Sequence, residues 1–255
     1  MSRRTPDPEP ATAKVDFNEY AGSYESDIAS ATSFVKQDPA FFLEVKAKAL
    51  LQVLAHTVGE PTKARLLDVG CGNGELDRFL IPHVGELSGV DLSRQMVGRA
   101  ARANPSGSFA VYDGGRLPFD DSSFELAFAS CVLHHVPKDD WTSFAAELAR
   151  VVRPGGVGAI IEHNPVNPLT RLVVSRCAFD ADAVLLSSTT AGSLLREQGL
   201  EDVTSSYLLF FPWRGQVLRS LEHALRRVPL GAQYLAFARR PAGESPDGRE
   251  SLTNA

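Results

Sequence analysis

The sequence has few of the features that anchor or cross-link a chain. Its 255 residues include only three cysteines, Cys71, Cys131 and Cys177, and their spacing matches neither a metal site nor a C-x-x-C motif. No apolar run approaches the ~18 residues of a membrane span, and a net charge of −5 is not that of a general nucleic-acid binder. We therefore expect a cytoplasmic protein with reduced thiols, no metal ion, no membrane span and no nucleic-acid partner.

The two ends of the sequence differ in composition from its middle. Residues 1–14 contain prolines and acidic residues without the apolar core of a secretion signal, and residues 241–255 are polar and rich in Gly, Pro and Ser. We expect both to be disordered tails. The remaining residues are numerous enough for one sizeable α/β core with appended elements.

The most informative segment is an apolar run that ends in glycines at alternating positions. Residues 66–74 read LLDVGCGNG, with Asp68 ahead of Gly70, Gly72 and Gly74. A side chain at any of these glycines is expected to fill space that a ligand needs. The pattern is G-x-G-x-G rather than the dinucleotide pattern G-x-G-x-x-G, and Asp68 suits a positively charged group such as the amino group of a methionine moiety. A tight turn without a ligand is the alternative interpretation.

This segment resembles motif I of the class I S-adenosylmethionine-dependent methyltransferases, residue for residue. The resemblance implies an α/β fold, a doubly wound Rossmann-like sheet of seven strands with an antiparallel last strand. It also implies S-adenosylmethionine as the cofactor, in contact with the loop residues Asp68, Gly70, Cys71, Gly72 and Gly74.

Two further acidic residues follow predicted strands in the order of that family. Asp91 follows the apolar residues 87–90, about 20 residues beyond the glycine loop, where a carboxylate is expected to accept from both ribose hydroxyls. A helix N-cap at Asp91 or Ser93 is compatible with this role. Leu92 and Met96 are expected to contact the cofactor beside it.

The next two predicted strands, residues 108–112 and 124–129, end at the remaining cofactor residues. By resemblance, Asp113 accepts from the adenine amino group, the Gly114 amide lies near the ring edge, and Ser130 also contacts the cofactor. An ordinary Asp-Gly-Gly turn is the alternative at Asp113. Ser130-Cys131-Val132-Leu133 replaces the Asn/Asp-Pro-Pro-aromatic tetrapeptide of methyltransferases that act on planar amide nitrogens, which disfavours such acceptors.

Candidate catalytic side chains follow predicted strands four and five. They are His134 and His135 after the fourth strand, and Glu162 and His163 after the fifth. Methyl transfer from a sulfonium needs alignment, and a general base is needed only for a nucleophile that holds its proton. Histidine can be that base. As alternatives, the histidine pair bonds to loop backbone, and Glu162 is an acceptor for the turns at residues 164–167.

Residues 15–60 are predicted to form an N-terminal helical lid. Its inward positions follow three- and four-residue spacing (Phe42, Val45, Ala49 and Val53), which leaves Lys46 and Lys48 on the wetter side. Tyr20 and Tyr24 would share a helix face. They resemble the aromatic residues with which the family's lid covers the cofactor; packing of the lid on the core is the alternative.

Residues 61–240 are predicted to form the methyltransferase core, with cap insertions at residues 164–187 and 212–230. Apolar residues in these caps favour a small, partly hydrophobic acceptor methylated on O, C or N, as in the branch of quinone-biosynthesis and natural-product methyltransferases that the motifs resemble. A nicotinamide-dependent oxidoreductase would need G-x-G-x-x-G. The alternative function is that of a non-catalytic protein that binds S-adenosylmethionine or S-adenosylhomocysteine. The sequence does not distinguish a monomer from a homodimer.

Overall fold

A computed structural model describes residues 38–177, 180, 182–213 and 215–242, which form a mixed sheet of seven strands covered by helices. The strands are β1 (Arg65–Val69), β2 (Glu86–Asp91), β3 (Ser108–Val111), β4 (Phe124–Ser130), β5 (Val152–His163), β6 (Glu201–Leu208) and β7 (Gln233–Arg239). The helices are α1 (Pro39–Thr57), α2 (Asp77–Leu80), α3 (Arg94–Ala103), α4 (Trp141–Val151), α5 (Pro168–Val174), α6 (Ser188–Glu197) and α7 (Gln216–Leu225). None of the described helices is long and apolar enough to cross a membrane.

The order of the strands is β3-β2-β1-β4-β5-β7-β6. The pairs β1–β2, β2–β3, β1–β4 and β4–β5 are parallel, whereas β7 is antiparallel to both β5 and β6. This confirms the predicted doubly wound sheet with an antiparallel last strand. The order reverses between β1 and β4, and in open α/β sheets ligands bind outside the carboxyl ends of the strands at such a point.

Both faces of the central strands are buried, because side chains alternate between two apolar layers. Leu66, Leu126 and Ile161 pack against α1, whereas Leu67, Ala127 and Ile160 pack in the cluster that contains α4 and α6. Parallel strands covered on both faces are apolar along their whole length, as the sequence around Asp68 had indicated. The two layers hold the strand ends, and therefore the loops after them, in fixed positions.

Two strand boundaries differ from those that the sequence predicts. The turn sequence Arg153-Pro154-Gly155-Gly156 predicts a fifth strand that begins after it, but β5 begins at Val152 and includes these residues. A register shift between Phe124 and Leu126 accommodates them. The sequence also predicts a strand over residues 202–211, but β6 ends at Leu208, and Leu209 has a positive φ of 61°. The cap insertion predicted at residues 212–230 contains α7.

The described part of the predicted lid is α1, which begins after the N-cap Asp38. Lys48 is exposed as predicted, but the prediction for Lys46 was wrong: it is buried against the sheet end. Tyr20 and Tyr24 lie outside the described residues.

Candidate functional site

A cavity of about 1110 Å³ lies at the carboxyl ends of β1, β2, β4 and β5. Most of the predicted site residues line it: Asp68, Gly70, Cys71, Gly72, Asp91, Leu92, Met96, Asp113, Gly114, Ser130, His134, His135 and His163. Gly74 and Glu162 are not among the lining residues. We call the wall that contains Asp68, Gly70, Gly72, Asp91 and Asp113 the glycine-loop side, and the wall that contains Cys131, His134, His135, His163 and Asp180 the histidine side.

The three glycines of the loop after β1 serve different purposes. A Cβ at Gly70 would lie 2.5 Å from Val132 Cγ2, and one at Gly74 would lie 2.6 Å from Asn104 Nδ2. A Cβ at Gly72 would meet nothing within 4 Å. Gly70 and Gly74 permit close packing of the protein on itself, and of the three glycines only Gly72 has open space where a Cβ would lie. That a side chain at these positions would also enter the space of a ligand stays a prediction.

The carboxylate of Asp91 connects the glycine loop to the end of β2. Its Oδ2 accepts from the Gly72 amide at 2.9 Å and its Oδ1 from the Ser93 amide at 2.8 Å. The N-cap of α3 is Ser93, whose Oγ accepts from the Met96 amide. Burial raises the pKa of Asp91, and the hydrogen bonds from these amides lower it again in part. Each carboxylate oxygen has a second lone pair for a ligand hydroxyl.

Asp68 and Asp77 form a buried pair of carboxyl groups beneath the loop. Burial raises the pKa of both groups, and for Asp68 the neighbouring carboxyls of Asp77 and Asp91 raise it further against the opposing charge of Lys46. Both carboxyl groups are therefore more readily protonated than a carboxyl group in water. Among the described residues, Asp68 Oδ1 has no hydrogen-bond partner, although Asp68 lines the cavity.

The glycine-loop side fits the cofactor that the resemblance implies. An orphaned buried oxygen at Asp68 suits an amino group, Gly72 leaves room for a ligand, and Asp91 suits a pair of hydroxyls. Asp113 lies at an exposed turn in which its Oδ1 accepts from the Gly115 amide at 2.9 Å. The turn predicted as an alternative is therefore present, on the rim of the same cavity.

Glu162 connects the end of β5 to the turn after β4 on the histidine side. It is fully buried at the end of β5, where its Oε1 accepts from the amides of Val132 at 2.9 Å and Leu133 at 2.7 Å, and its Oε2 lies 2.6 Å from His134 Nδ1. Burial alone would raise the pKa of Glu162, but the His134 imidazole lowers it to about 2. Glu162 therefore orders the turn after β4. The turn at residues 164–167, which was the alternative role given for Glu162, uses the side chain of Asn164.

His134 and His135 share a carboxylate that is distant in the sequence. Asp180 Oδ1 lies 3.4 Å from His134 Nε2 and 3.3 Å from His135 Nε2. Burial alone would lower the pKa of His134, but Glu162 and Asp180 raise it to about 10. Burial and the neighbouring His134 lower the pKa of His135 to about 4. Sequence reasoning did not select Asp180, because 45 residues separate it from His135 and no local pattern connects them.

A second group of polar side chains surrounds Cys131 at the end of β4. Lys46 Nζ lies 3.2 Å from Cys131 Sγ and 3.3 Å from Ser130 Oγ, and Gln233 Nε2 lies 3.4 Å from the same sulfur and 3.5 Å from His163 Nδ1. Burial would raise the pKa of Cys131, but Lys46 and His163 lower it to about 6. Lys46 and Gln233 were missed by sequence reasoning. No motif includes either residue, and only the packing of α1 and β7 brings them to the cavity.

Comparisons with known proteins agree with this geometry. Residues 66–156 match the family described as methyltransferase domain. The chain is 31% identical to the 27-O-demethylrifamycin SV methyltransferase of Amycolatopsis mediterranei, over 80% of this chain and 83% of that protein. It is 30% identical to a ubiquinone/menaquinone biosynthesis C-methyltransferase of Desulfotalea psychrophila, over 58% of this chain and 57% of that protein.

Solved structures show the same fold. The structure of a methyltransferase from Thermotoga maritima, titled a possible histamine N-methyltransferase, superposes with a TM-score of 0.63 at 19% identity, over 88% of this chain and 98% of that one. At this identity the likeness concerns the fold alone. Because the similarity to the Amycolatopsis enzyme extends over most of both chains, this chain belongs to the S-adenosylmethionine-dependent methyltransferases, with S-adenosylmethionine as its cofactor.

Proposed function

We propose that this methyltransferase transfers the methyl group to a hydroxyl oxygen of a small, partly hydrophobic acceptor. The proposal rests on the residues of the histidine side, where imidazole and apolar side chains line the same cavity. His135 and His163 line it together with Leu169 and Val173 of α5 and with Phe210, which follows β6. A hydroxyl acceptor needs a nearby base, and an apolar wall suits the rest of a hydrophobic molecule.

The relatives support an oxygen acceptor more than they support any particular molecule. The Amycolatopsis relative, which is similar over most of its length, is named for methylation at an oxygen. The Desulfotalea relative is named for methylation at carbon, but this chain matches only 57% of that protein. Among the apolar residues in and next to the predicted caps, Val173 and Phe210 line the cavity, whereas Trp213 is exposed and Phe179 lies outside the described residues.

In this proposal the glycine-loop side binds the cofactor. Asp91 accepts from the ribose hydroxyls, Asp68 receives the amino group, and Gly72 leaves the backbone open. Cys71, Leu92, Met96, Asp113, Gly114 and Ser130 contribute the remaining contacts, and Gly70 and Gly74 shape the loop. When bound, S-adenosylmethionine supplies an electrophilic methyl group. Tyr20 and Tyr24 remain predictions from the sequence.

On the histidine side, His163 accepts the proton of the acceptor hydroxyl. It lines the cavity at the end of β5, and Gln233 contacts its Nδ1. Glu162 and His134 are positioning residues: they hold the turn after β4 against β5, so that the acceptor oxygen, the base and the methyl group stay aligned. His135 contacts the acceptor from the same wall as His163.

The test is methyl transfer with identification of the methylated atom. The protein is incubated with S-adenosylmethionine and a panel of phenols, alcohols, amines and acidic carbon compounds, and S-adenosylhomocysteine and methylated products are measured by mass spectrometry. We expect turnover with hydroxyl acceptors, and products methylated only at nitrogen or carbon would contradict the proposal. Retained binding of S-adenosylmethionine would show that such a failure concerns the acceptor rather than the cofactor.

The role of His163 has its own test. His163→Gln should lower kcat by about 10²–10⁴-fold, because the proton loses its acceptor, while the Kd for S-adenosylmethionine stays unchanged. His56→Gln is the matched control, since His56 is exposed on α1. A kcat that is equal in the two variants would exclude His163 as the base.

A further inference from the structure

Three side chains from two distant segments converge on the histidine side. They are His134 and His135 from the turn after β4, and Asp180, which follows α5 in the chain. One nitrogen of each imidazole and one carboxylate oxygen lie within 4.8 Å of one another. The shortest distances join Asp180 Oδ1 to the two Nε2 atoms, at 3.3 Å for His135 and 3.4 Å for His134.

These contacts are not hydrogen bonds. Asp180 is only 7% exposed, and within the described residues its Oδ1 has no hydrogen-bond partner. An N–H···O hydrogen bond spans about 2.7–3.2 Å and is close to linear. A buried carboxylate oxygen without a donor is costly. The buried carboxylate oxygen therefore faces two imidazole nitrogens without making a hydrogen bond to either of them.

The distances match those between the ligands of a small metal ion. Metal–ligand bonds of about 2.0–2.1 Å in tetrahedral geometry place neighbouring ligand atoms about 3.3–3.4 Å apart. The two measured distances are 3.3 and 3.4 Å. The third pair of ligand atoms, the two imidazole nitrogens, lies within 4.8 Å.

The partner of His134 supplies a second, independent feature of a metal site. His134 Nδ1 lies 2.6 Å from Glu162 Oε2. A histidine that binds a metal through one nitrogen usually donates from the other to a carboxylate, which fixes the orientation of the ring. Glu162 is itself held by the amides of Val132 and Leu133, so this outer contact is rigid.

The charges around the cluster also favour a cation. Glu162 and Asp180 are two buried acidic residues that contact opposite nitrogens of the His134 ring. Metal ligation requires neutral imidazoles, so that a bound cation would be the positive charge near these two carboxylates. A divalent ion would neutralise both charges. Imidazole and carboxylate ligands together are a set that suits Zn²⁺.

We propose that His134, His135 and Asp180 form a binding site for a divalent transition-metal ion of the Zn²⁺ type, with Glu162 as its outer-shell support. Three protein ligands leave a coordination position open, and all three residues line the cavity. That position takes water or an oxygen of the acceptor, and this second role rests on the proposed function. This proposal departs from the sequence-based expectation that the protein has no metal ion.

Metal binding is measured on the full chain, purified without a histidine tag and freed of metal with a chelator. Co²⁺ serves as the spectroscopic probe. We expect one equivalent of Co²⁺ to give visible d–d absorption that Zn²⁺ abolishes by competition. Asp180→Asn should lower the Co²⁺ affinity by more than about 100-fold, since removal of an outer-shell partner alone costs about 10–100-fold. Asp182→Asn, at an exposed position two residues away, should bind as the wild type does.

Wild-type protein that binds no Co²⁺, or an Asp180→Asn variant that binds it as tightly as the wild type, would overturn the proposal. Circular dichroism and S-adenosylmethionine binding report whether the variant folds. Should it not fold, X-ray absorption of the zinc-loaded wild type decides: two imidazole nitrogens and a carboxylate oxygen support the site, and sulfur ligation contradicts it. Cofactor binding and methyl transfer are measured separately, so that a failure here leaves the proposed function standing.

Discussion

The two sides of the cavity are built in different ways. The glycine-loop side comes mostly from one stretch of chain, in which β1, its loop and β2 bring Asp68, Gly72 and Asp91 together over some 20 residues. The histidine side is assembled from five distant segments: α1 contributes Lys46, the turn after β4 contributes His134 and His135, β5 contributes His163, β7 contributes Gln233, and the segment after α5 contributes Asp180.

This difference indicates which side of the cavity can change by substitution while the fold stays the same. In the proposed function, the carboxylates of Asp68 and Asp91 and the open backbone at Gly72 bind the cofactor, so the glycine-loop side depends on the geometry of one loop and of the strand ends beside it. Side chains from separate elements form the histidine side, so its chemistry can change without altering the sheet. Each of the first three predictions concerns substitutions on one side of the cavity that leave the residues of the other side unchanged. The fourth concerns how the stability of the glycine-loop side depends on pH.

The largest effect is expected from Glu162→Gln on the histidine side. Its carboxylate accepts from the Val132 and Leu133 amides and contacts His134, all without access to water. Removal of one charge from a buried pair typically costs about 3–5 kcal/mol. Urea denaturation should show this loss, whereas Glu197→Gln, at an exposed position of α6, should unfold with the wild-type midpoint. A loss below about 1 kcal/mol would mean that the turn after β4 does not depend on Glu162.

Asp91→Ala should lower the affinity for S-adenosylmethionine by at least about 100-fold, because each charge-assisted hydrogen bond contributes about 1.5–3 kcal/mol. Thermal unfolding with S-adenosylmethionine, S-adenosylhomocysteine and NAD measures this: the wild type should be stabilised by the first two ligands alone. Asp113→Ala, on the exposed rim, should lose less. Equal affinities of the wild type and Asp91→Ala would remove Asp91 from the cofactor site.

Gly70→Ala should destabilise the fold by about 2 kcal/mol, because its positive φ of 84° strains any other residue and the new methyl group overlaps Val132. Val132→Ala in the same chain should recover part of this loss. Gly72→Ala meets no atom within 4 Å and should cost about 1 kcal/mol of stability, while weakening cofactor binding. Denaturation and calorimetric titration separate the two effects, and equal stability losses for both glycines would contradict the assignment.

The fourth prediction concerns pH, and its effect is the smallest when it is expressed per pH unit. Burial raises the pKa of Asp77 to about 7, against about 4 in the unfolded chain. The folded state thus binds a proton that the unfolded chain releases, and this contribution to stability is present at low pH and lost as the pH rises towards 7. The slope approaches about −1.4 kcal/mol per pH unit. Asp77→Asn should flatten the pH dependence of urea unfolding, and Asp139→Asn, at an exposed position, should not.

Much of the architecture and of the glycine-loop side could be predicted from the sequence, because the relevant interactions are local. An apolar strand that ends in alternating glycines folds into the same turn in most contexts, and Asp91 occurs at a fixed distance beyond it. The different structural roles of the three glycines could not be predicted. Whether a Cβ meets Val132, Asn104 or open space depends on elements 30 to 60 residues further along the chain.

What the sequence by itself determined is therefore the order of strands and loops and the cofactor class. Only the tertiary structure decided the chemistry of the histidine side. Helical spacing favoured an exposed Lys46, but the packing of α1 on the sheet buries it beside Cys131. Asp180 meets His134 and His135 only because the chain after α5 returns to the cavity. Such contacts arise from packing between distant segments, and no periodicity or short motif encodes them.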